Sequence, residues 1–447
     1  MKKLLLILLC LPMIGFGQDF IQIPNIPHTS FVAGDIAFSD TDNDGDEDVL
    51  IAGASSNGYI CELYTNNGLG IFSLVTATPF TGTLGSSIAF SDIDNDGDED
   101  VLIAGTSSNG YICELYTNNG LGIFSLVAAT PFTGFTDGSI AFSDIDNDGD
   151  EDVLITGRRG GFPNYNSVTE LYTNDGSGNF SVVIGSPFPD VFGWAGFSDI
   201  DGDEDLDVLI TGRKDTIDAA GNSYPIDLVG LYTNDGLGNF TMVANTPFQG
   251  VYGMPIAFSD IDNDGDEDLL ISGRYCISQI CLEISELYKN DGLGNFSLVD
   301  TTTFAVGTSG SIDFSDVDND GDEDVLIIVW GLAELYHNDG LGNFSLVDST
   351  TFDEAAYNNS AGFSDIDNDG DNDILIIGGI GDGSGNITSS SLYRNNTILN
   401  SINDARTKNQ KILKITDLLG RETKGTKNEV LFYIYDDGTV EKRIVIE

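Results

Sequence analysis

Seven times in this chain, five aspartates stand on alternate positions of one nonapeptide, and a short apolar run follows at once, as in DIDNDGDEDVLI at residues 92–103. The sets are Asp40, Asp42, Asp44, Asp46 and Asp48; Asp92, Asp94, Asp96, Asp98 and Asp100; Asp144, Asp146, Asp148, Asp150 and Asp152; Asp199, Asp201, Asp203, Asp205 and Asp207. They continue with Asp260, Asp262, Asp264, Asp266 and Asp268; Asp316, Asp318, Asp320, Asp322 and Asp324; Asp365, Asp367, Asp369, Asp371 and Asp373. The starting aspartates are 52, 52, 55, 61, 56 and 49 residues apart. A period of this length is the mark of an array or a propeller, in which each unit buries its apolar surface against its neighbours.

Each unit reads as short strands separated by turns. In the first, Ile36–Ser39 is short and apolar, Asp40–Asp48 is the acidic loop, and Val49–Ala52 is apolar and β-branched. Cys61–Thr65 alternates, Asn66–Gly70 suits a turn, and Phe72–Thr76 is again strand-like. No segment sustains a helical period. Four strands in each of seven units predict an all-β, seven-bladed β-propeller, whose radial closure protects the sheet edges. The seventh unit has no fourth strand after SLYRNN at residues 391–396. Phe20 precedes Asp40 by 20 residues, the interval that also separates Phe72 from Asp92 and Phe124 from Asp144. The segment 20–23 is therefore expected to complete blade seven.

Five carboxylates this close repel: two unit charges 4 Å apart cost about 4 kcal/mol at an effective dielectric of 20. A hard divalent cation removes that cost, and calcium takes six to eight oxygens from a flexible loop. Aspartates at positions one, three, five and nine would supply side-chain oxygens and position seven a backbone carbonyl, with glycine at position six for the bend. The loop is not an EF-hand, because position twelve is isoleucine (Ile51, Ile103, Ile155, Ile210, Ile271, Ile327, Ile376) in place of glutamate. Up to seven calcium ions are expected. The fourth loop has Gly202 at position four and Glu204 at position six. A side chain held left-handed there is costly, so this site is expected to bind most weakly.

The acidic loops, with ELYTNNGLGIF at residue 62 and ELYTNDGSGNF at residue 170, resemble the FG-GAP/VCBS-type repeat of integrin α-subunit heads and many secreted bacterial proteins. The resemblance covers roughly residues 20–396. It implies a seven-bladed propeller with calcium in the loop between the first and second strands of a blade.

The chain holds 72 acidic and 18 basic residues, a net charge of -54. That excludes nucleic acid as a natural partner and disfavours anionic membranes. A hydrophobic fraction of 40% argues against the disorder that such charge otherwise signals. Residues 1–17 read as a secretory signal peptide: Lys2 and Lys3, an apolar run over Leu4–Met13, then Gly15-Phe16-Gly17. No other stretch is long enough to span a bilayer. Cys61 and Cys113 read as buried thiols, and Cys276 and Cys281 flank CISQIC, where either a local disulfide or two thiols fit an exported protein.

Charge balance changes after a linker at 397–406. Residues 407–447 contain TDLLGR and YIYDDGTVEK, with strands expected at Ile412–Thr416, Leu431–Tyr435 and Val440–Ile446. This segment resembles the C-terminal sorting domain of type IX secretion, a small β-sandwich-like module. The resemblance implies that type IX machinery carries the chain across the outer membrane, leaving residues 18–396 secreted or at the cell surface.

Only two histidines occur, His28 and His337, the latter expected to be an exposed strand residue. No catalytic constellation is visible, and the acids that could serve a glycosidase are absorbed by the loops. Basic residues are rare, yet Arg158, Arg159, Arg213, Lys214 and Arg274 each follow an ITG or ISG strand end. The longest insertions lie at the same places, with Phe162, Tyr165, Tyr224 and Tyr275 beside the cations. In the family's topology these loops lie opposite the calcium loops, so they are expected to form one ligand patch on blades three to five. The reading is a non-catalytic binding or adhesion module for an extracellular glycan or protein. A carbohydrate-active enzyme or its accessory domain, and a structural surface protein, are the alternatives.

Overall fold

The structure, a computed structural model, describes residues 20–23, 31–55, 58–161, 165–217, 223–253, 255–277, 280–299, 303–308, 310–329, 332–347, 352, 357–381, 387–388, 390–396, 412–416, 430–435 and 440–444. The expected leader at 1–17 and expected linker at 397–406, with His28 and Phe162, lie outside these residues. The chain divides into two units, Met1–Thr397 and Ile398–Glu447.

No helix occurs among the described residues, and the first unit is seven antiparallel sheets. Blade one pairs Phe31–Ser39, Asp48–Ser55, Gly58–Thr65 and Ser73–Leu74 in chain order. The next five sheets repeat that four-stranded order. The fourth strand is only two residues long, shorter than Phe72–Thr76 suggests, because its pairing ends where the chain leaves for the next blade.

The second strand explains the apolar run in each repeat. Val49 and Ile51 pack toward blade seven, whereas Leu50 and Ala52 pack toward blade two. Successive side chains of a strand face opposite ways. A strand wedged between two neighbouring sheets must therefore be apolar at every position. Seven clusters of buried residues fill the seven blade interfaces, and one of them joins Ile366, Leu375 and Ile377 to Ile36, Val49 and Ile51, closing seven on one.

Both ends of the propeller unit meet in that last sheet. Ile21–Ile23 pairs with Ser391–Arg394, with Gln22 opposite Tyr393. In blade one Leu74 stands opposite Tyr64, the same register. The aromatic packing repeats the point. Phe80 lies 5.0 Å from Tyr116 and 5.1 Å from Phe124, both edge-on or tilted. In blade seven Phe352 lies 5.0 Å from Tyr393 and 5.7 Å from Phe20, so the N-terminal segment supplies the third ring.

The insertions after the second strands become longer hairpins. Asp207–Ile217 pairs with Ser223–Thr233, and Asp268–Ile277 with Ile280–Lys289, strands of 11 and 10 residues where blade one has 8. Cys276 and Cys281 face each other in the second of these and are disulfide-bonded. Cys61 and Cys113 are buried free thiols.

In the second unit, Ile412–Thr416, Val430–Tyr435 and Val440–Ile444 form one antiparallel three-stranded sheet. Asp437 and Gly438, between the last two strands, lie outside the described residues.

Candidate functional site

Two sites face opposite ends of the propeller unit. First strands run into the acidic loops at one end, and the second-to-third-strand hairpins return at the other.

At the acidic end each loop folds around its first aspartate. Asp40 Oδ1 accepts the N–H of Asp44 (3.0 Å) and Oδ2 that of Gly45 (2.9 Å). The position-nine carboxylate, Asp48 in blade one, is buried and accepts the Asn66 N–H at 2.8 Å. This last bond recurs in all seven blades, through Asn118, Asn174, Asn234, Asn290, Asn338 and Asn395.

What remains unpaired decides what the loops can hold. The Oδ1 atoms of all seven position-three aspartates, Asp42, Asp94, Asp146, Asp201, Asp262, Asp318 and Asp367, are buried without a hydrogen-bond donor. So are Oδ2 of Asp100, Asp268 and Asp373, residues no more than 2% exposed. A buried polar atom without a partner costs about 1–3 kcal/mol, more when charged. Carboxylate oxygens of Asp40, Asp42 and Asp44 lie within 4.8 Å of one another, and the same holds at Asp92, Asp94 and Asp96. This all-oxygen set fits a hard divalent cation.

Electrostatics agree. Burial is the main cause that pushes Asp48 up to about 6, Asp100, Asp152, Asp207 and Asp268 to about 7, and Asp373 to about 8. Burial first, then repulsion from neighbouring aspartates, also raises Asp42, Asp94, Asp146 and Asp201. Carboxylates so reluctant to ionise are those whose charge a bound cation would repay. In the fourth loop Glu204 does adopt φ 70°, beside Gly202 at 75°, where the other loops have asparagine and glycine.

The Asn/Gly stretch joins the third strand to the fourth, as a turn should, and it also clamps one blade to the next. Asn118 Nδ2 donates to Thr41 O of blade one at 2.8 Å, and equivalent bonds run from Asn66 to Ile366 and from Asn395 to Val317, around the whole ring. The next glycine packs on a position-seven carboxylate: a Cβ at Gly120 would clash with Asp98 Oδ1. A second set links successive loops. Asn43 Nδ2 donates to Asp98 Oδ1 at 2.7 Å, and Asn368 to Asp46 at 2.6 Å. Three further bonds of this kind start from Asn95, Asn147 and Asn263, and a fourth from Asn319. The fourth loop has Gly202 at that position and no side chain to donate.

His337 corrects an expectation. It is not an exposed strand residue: its side chain is 26% exposed and Nδ1 sits 3.1 Å from Asp324 Oδ2 and 3.5 Å from Asp318 Oδ2. Burial opposes its charging, but the hydrogen bond and charge of Asp324, with Asp318, raise its pKa overall.

At the opposite end a cavity of 410 Å³ opens in the middle of the ring. Its wall takes one residue from the first-strand side of every blade: Asp35, Ser87, Ser139, Trp194, Pro255, Ser311 and Ser360. Arg158, Asp137, Phe192 and Tyr252 form its rim. Arg158 Nε and Nη2 lie 2.7 and 2.5 Å from Asp137 Oδ2, and both side chains stay partly exposed. The guanidinium carbon lies 4.3 Å from the Tyr165 ring centre and 5.4 Å from that of Phe192. Arg213 stacks on Tyr252 at 3.4 Å and bonds Asp227 at 2.7 Å.

The expected patch is therefore divided. Arg158, Tyr165 and Arg213 gather at the rim. Arg159 does not join them: neighbours on a strand point opposite ways, and its N–H groups bond both Glu170 oxygens (2.7 and 2.6 Å) and the carbonyls of Gly134 and Thr133. Tyr275 packs on the core between blades four and five. Lys214 stands opposite Ile226, Arg274 opposite Glu283 and Tyr224 opposite Thr216 in their hairpins, the Tyr224 side chain lying outside the described residues. The rim residues Asp137, Phe192, Trp194 and Tyr252 escaped sequence reading. Only Trp194 had a repeat-level signal, the column five residues before each acidic loop, which reads Asp, Ser, Ser, Trp, Pro, Ser, Ser around the ring.

Comparison with solved structures gives remote likenesses. A lectin from Agrocybe aegerita, studied for recognition of non-reducing terminal N-acetylglucosamine, is 17% identical, with 71% of this chain and 81% of that one covered and a TM-score of 0.45. The V. cholerae biofilm matrix protein Bap1 is 11% identical over 82% and 88%, with a TM-score of 0.39. A Bacteroides ovatus xyloglucan-locus protein, GH43B, is 12% identical over 95% and 91%, with a TM-score of 0.28. None of the three bears on what this chain binds. No curated protein sequence matches it. A family model described as "FG-GAP-like repeat" matches residues 40–103, 92–155, 144–210, 199–271 and 316–376, each window running from one acidic loop through the second strand of the next blade. These windows cover more than half of the sequence, and the chain belongs to the FG-GAP-like repeat family.

Proposed function

We propose that this chain is a secreted, calcium-loaded propeller acting as a non-catalytic binding module, whose ligand seats in the mouth of the central channel. The observation that carries the reading is the rim itself. A partly exposed Arg158–Asp137 pair stands among Tyr165, Phe192, Trp194 and Tyr252 over a polar, serine-lined cavity. Aromatic faces with a few convergent polar groups suit a sugar or a polar protein side chain. The scaffold at the other end supports this role. Seven orphaned Oδ1 atoms favour calcium in the acidic loops, where Asp at positions one, three, five and nine would hold it. Bound there, calcium would neutralise the loops and stiffen the ring. The leader at 1–17 and the sorting-like segment 407–447 support export by a type IX route.

The test is a glycan-array screen of the full chain in millimolar calcium, with Arg158→Ala and Trp194→Ala variants in parallel. Selective binding that falls about tenfold or more in both variants is expected. Binding that both variants retain would move the site elsewhere. Cleavage of the bound glycan would replace this reading with an enzyme, and self-assembly without glycan binding would replace it with a structural protein.

A further inference from the structure

In each repeat one residue separates the tyrosine of the third strand from the clamp asparagine. In blades one to four it is Thr65, Thr117, Thr173 and Thr233. In blades five to seven it is Lys289, His337 and Arg394. The two groups point to different places. Thr65 and Thr233 donate to Ser73 O and Thr241 O on their own fourth strands, both at 3.5 Å. The three basic residues reach into the acidic loop of their own blade. Lys289 Nζ lies 2.5 Å from Asp262 Oδ2, Arg394 Nε 2.8 Å from Asp367 Oδ2, and His337 Nδ1 between Asp318 and Asp324. Asp262, Asp318 and Asp367 are the position-three aspartates of those blades. These contacts use Oδ2 and leave the buried Oδ1 without a donor.

From this we infer that the seven loops form two classes of cation site, an inference that rests on the calcium reading above. The four threonine loops have no basic side chain at this position and depend on a divalent ion. The other three seat a basic side chain of the chain's own against a principal ligand, and so bind calcium more weakly. In flexible oxygen sites affinity is tuned by ligand charge; Lys289 and Arg394 each offset one carboxylate at position three, and the His337 ring occupies the same place between Asp318 and Asp324. Two of the internal cations also cross to the next blade. Lys289 donates to Leu341 O at 2.9 Å and Arg394 to Leu69 O at 3.2 Å, the latter across the closure of blade seven on blade one. Without calcium, the loops of blades five to seven hold their shape and those of blades one to four do not.

The ranking expected from Glu204 alone is changed accordingly. Strain at φ 70° makes the fourth loop the weakest of the four threonine sites, above the three that carry a base.

The test counts calcium on the calcium-stripped full chain by native mass spectrometry and titration calorimetry. It compares the wild type with Lys289→Thr, His337→Thr and Arg394→Thr, singly and combined. The wild type should take four ions tightly and three at least about tenfold more weakly, and the triple variant should take seven tightly. Seven equivalent sites in the wild type, or a triple variant with an unchanged count, would overturn the inference while leaving calcium binding intact. No calcium on any variant would overturn both it and the calcium reading. If the triple variant does not fold, hydrogen exchange on the wild type decides. Chelator should speed exchange in residues 40–48, 92–100, 144–152 and 199–207 and spare 260–268, 316–324 and 365–373. Equal acceleration in all seven would count against two classes.

Discussion

Single side chains carry unusual weight here because the repeat multiplies each of them. Asn118 satisfies Thr41 O and Glu99 O with its side-chain amide and accepts the Asn119 N–H. Asn118→Ala leaves those buried groups unpaired and should cost about 2 kcal/mol in denaturant unfolding. Little of this clamp was legible in the sequence. Asparagine before glycine reads as a turn, and the carbonyl that Asn118 holds is 77 residues away. Asp313 is a different departure from the repeat, standing where four other blades have alanine. Burial pushes it up to about 7, against hydrogen bonds from Phe363 and Phe314 that lower it. The folded chain therefore keeps a proton that the unfolded chain releases near pH 4. Its contribution to stability is full below about pH 4 and is lost as the pH rises to about 7. Asp313→Asn should leave stability near pH 4 almost unchanged and raise it at pH 8 by about 1 kcal/mol or more. Unfolding at both values in saturating calcium checks this.

Among the elements, the N-terminal strand binds the ring. The split seventh unit could be read from spacing, because the interval from phenylalanine to aspartate is the same 20 residues at the N-terminus as between blades. Its aromatic packing could not: Phe352 follows Phe344 by the same eight residues that separate Phe72 from Phe80, but spacing alone does not say which rings meet. Phe20→Ala removes a partly buried ring from Phe352 and should cost about 2 kcal/mol, below the usual loss for a fully buried phenylalanine. Deleting residues 18–23 should go further. It unpairs Ser391–Arg394, so hydrogen exchange there should rise toward that of an open edge. Retained protection in the deletion variant would show that the strand does not hold the closure. The hairpins of blades four and five show the opposite case. Their insertions were visible as length, but the sequence pattern did not say that most of each would pair as strand. Nor did it show that Arg158 and Arg159, adjacent in sequence, would be sent to opposite faces.

At the scale of the molecule, the two ends of the propeller divide the labour. Seven-fold repetition accounts for the acidic end, where near-identical loops lock each blade to the next. Departures from repetition account for the other end, where Trp194, Tyr252 and Arg158 interrupt a ring of small polar residues around the channel. This is why the fold and the metal-type loops were readable and the rim was not: repeats announce themselves, whereas a binding mouth is assembled from single exceptions in different blades. The rim is only as rigid as the ring beneath it, and in this account the ring owes its rigidity to cations. One bound site at a hundred times its dissociation constant adds about 2.7 kcal/mol, and several sites add together. The measurement that tests this most directly is thermal unfolding of the full chain in 5 mM calcium and in excess chelator, at about the same ionic strength. The account predicts a midpoint lower by more than about 10 °C in chelator, restored when calcium is returned. Superimposable transitions in the two conditions would contradict it.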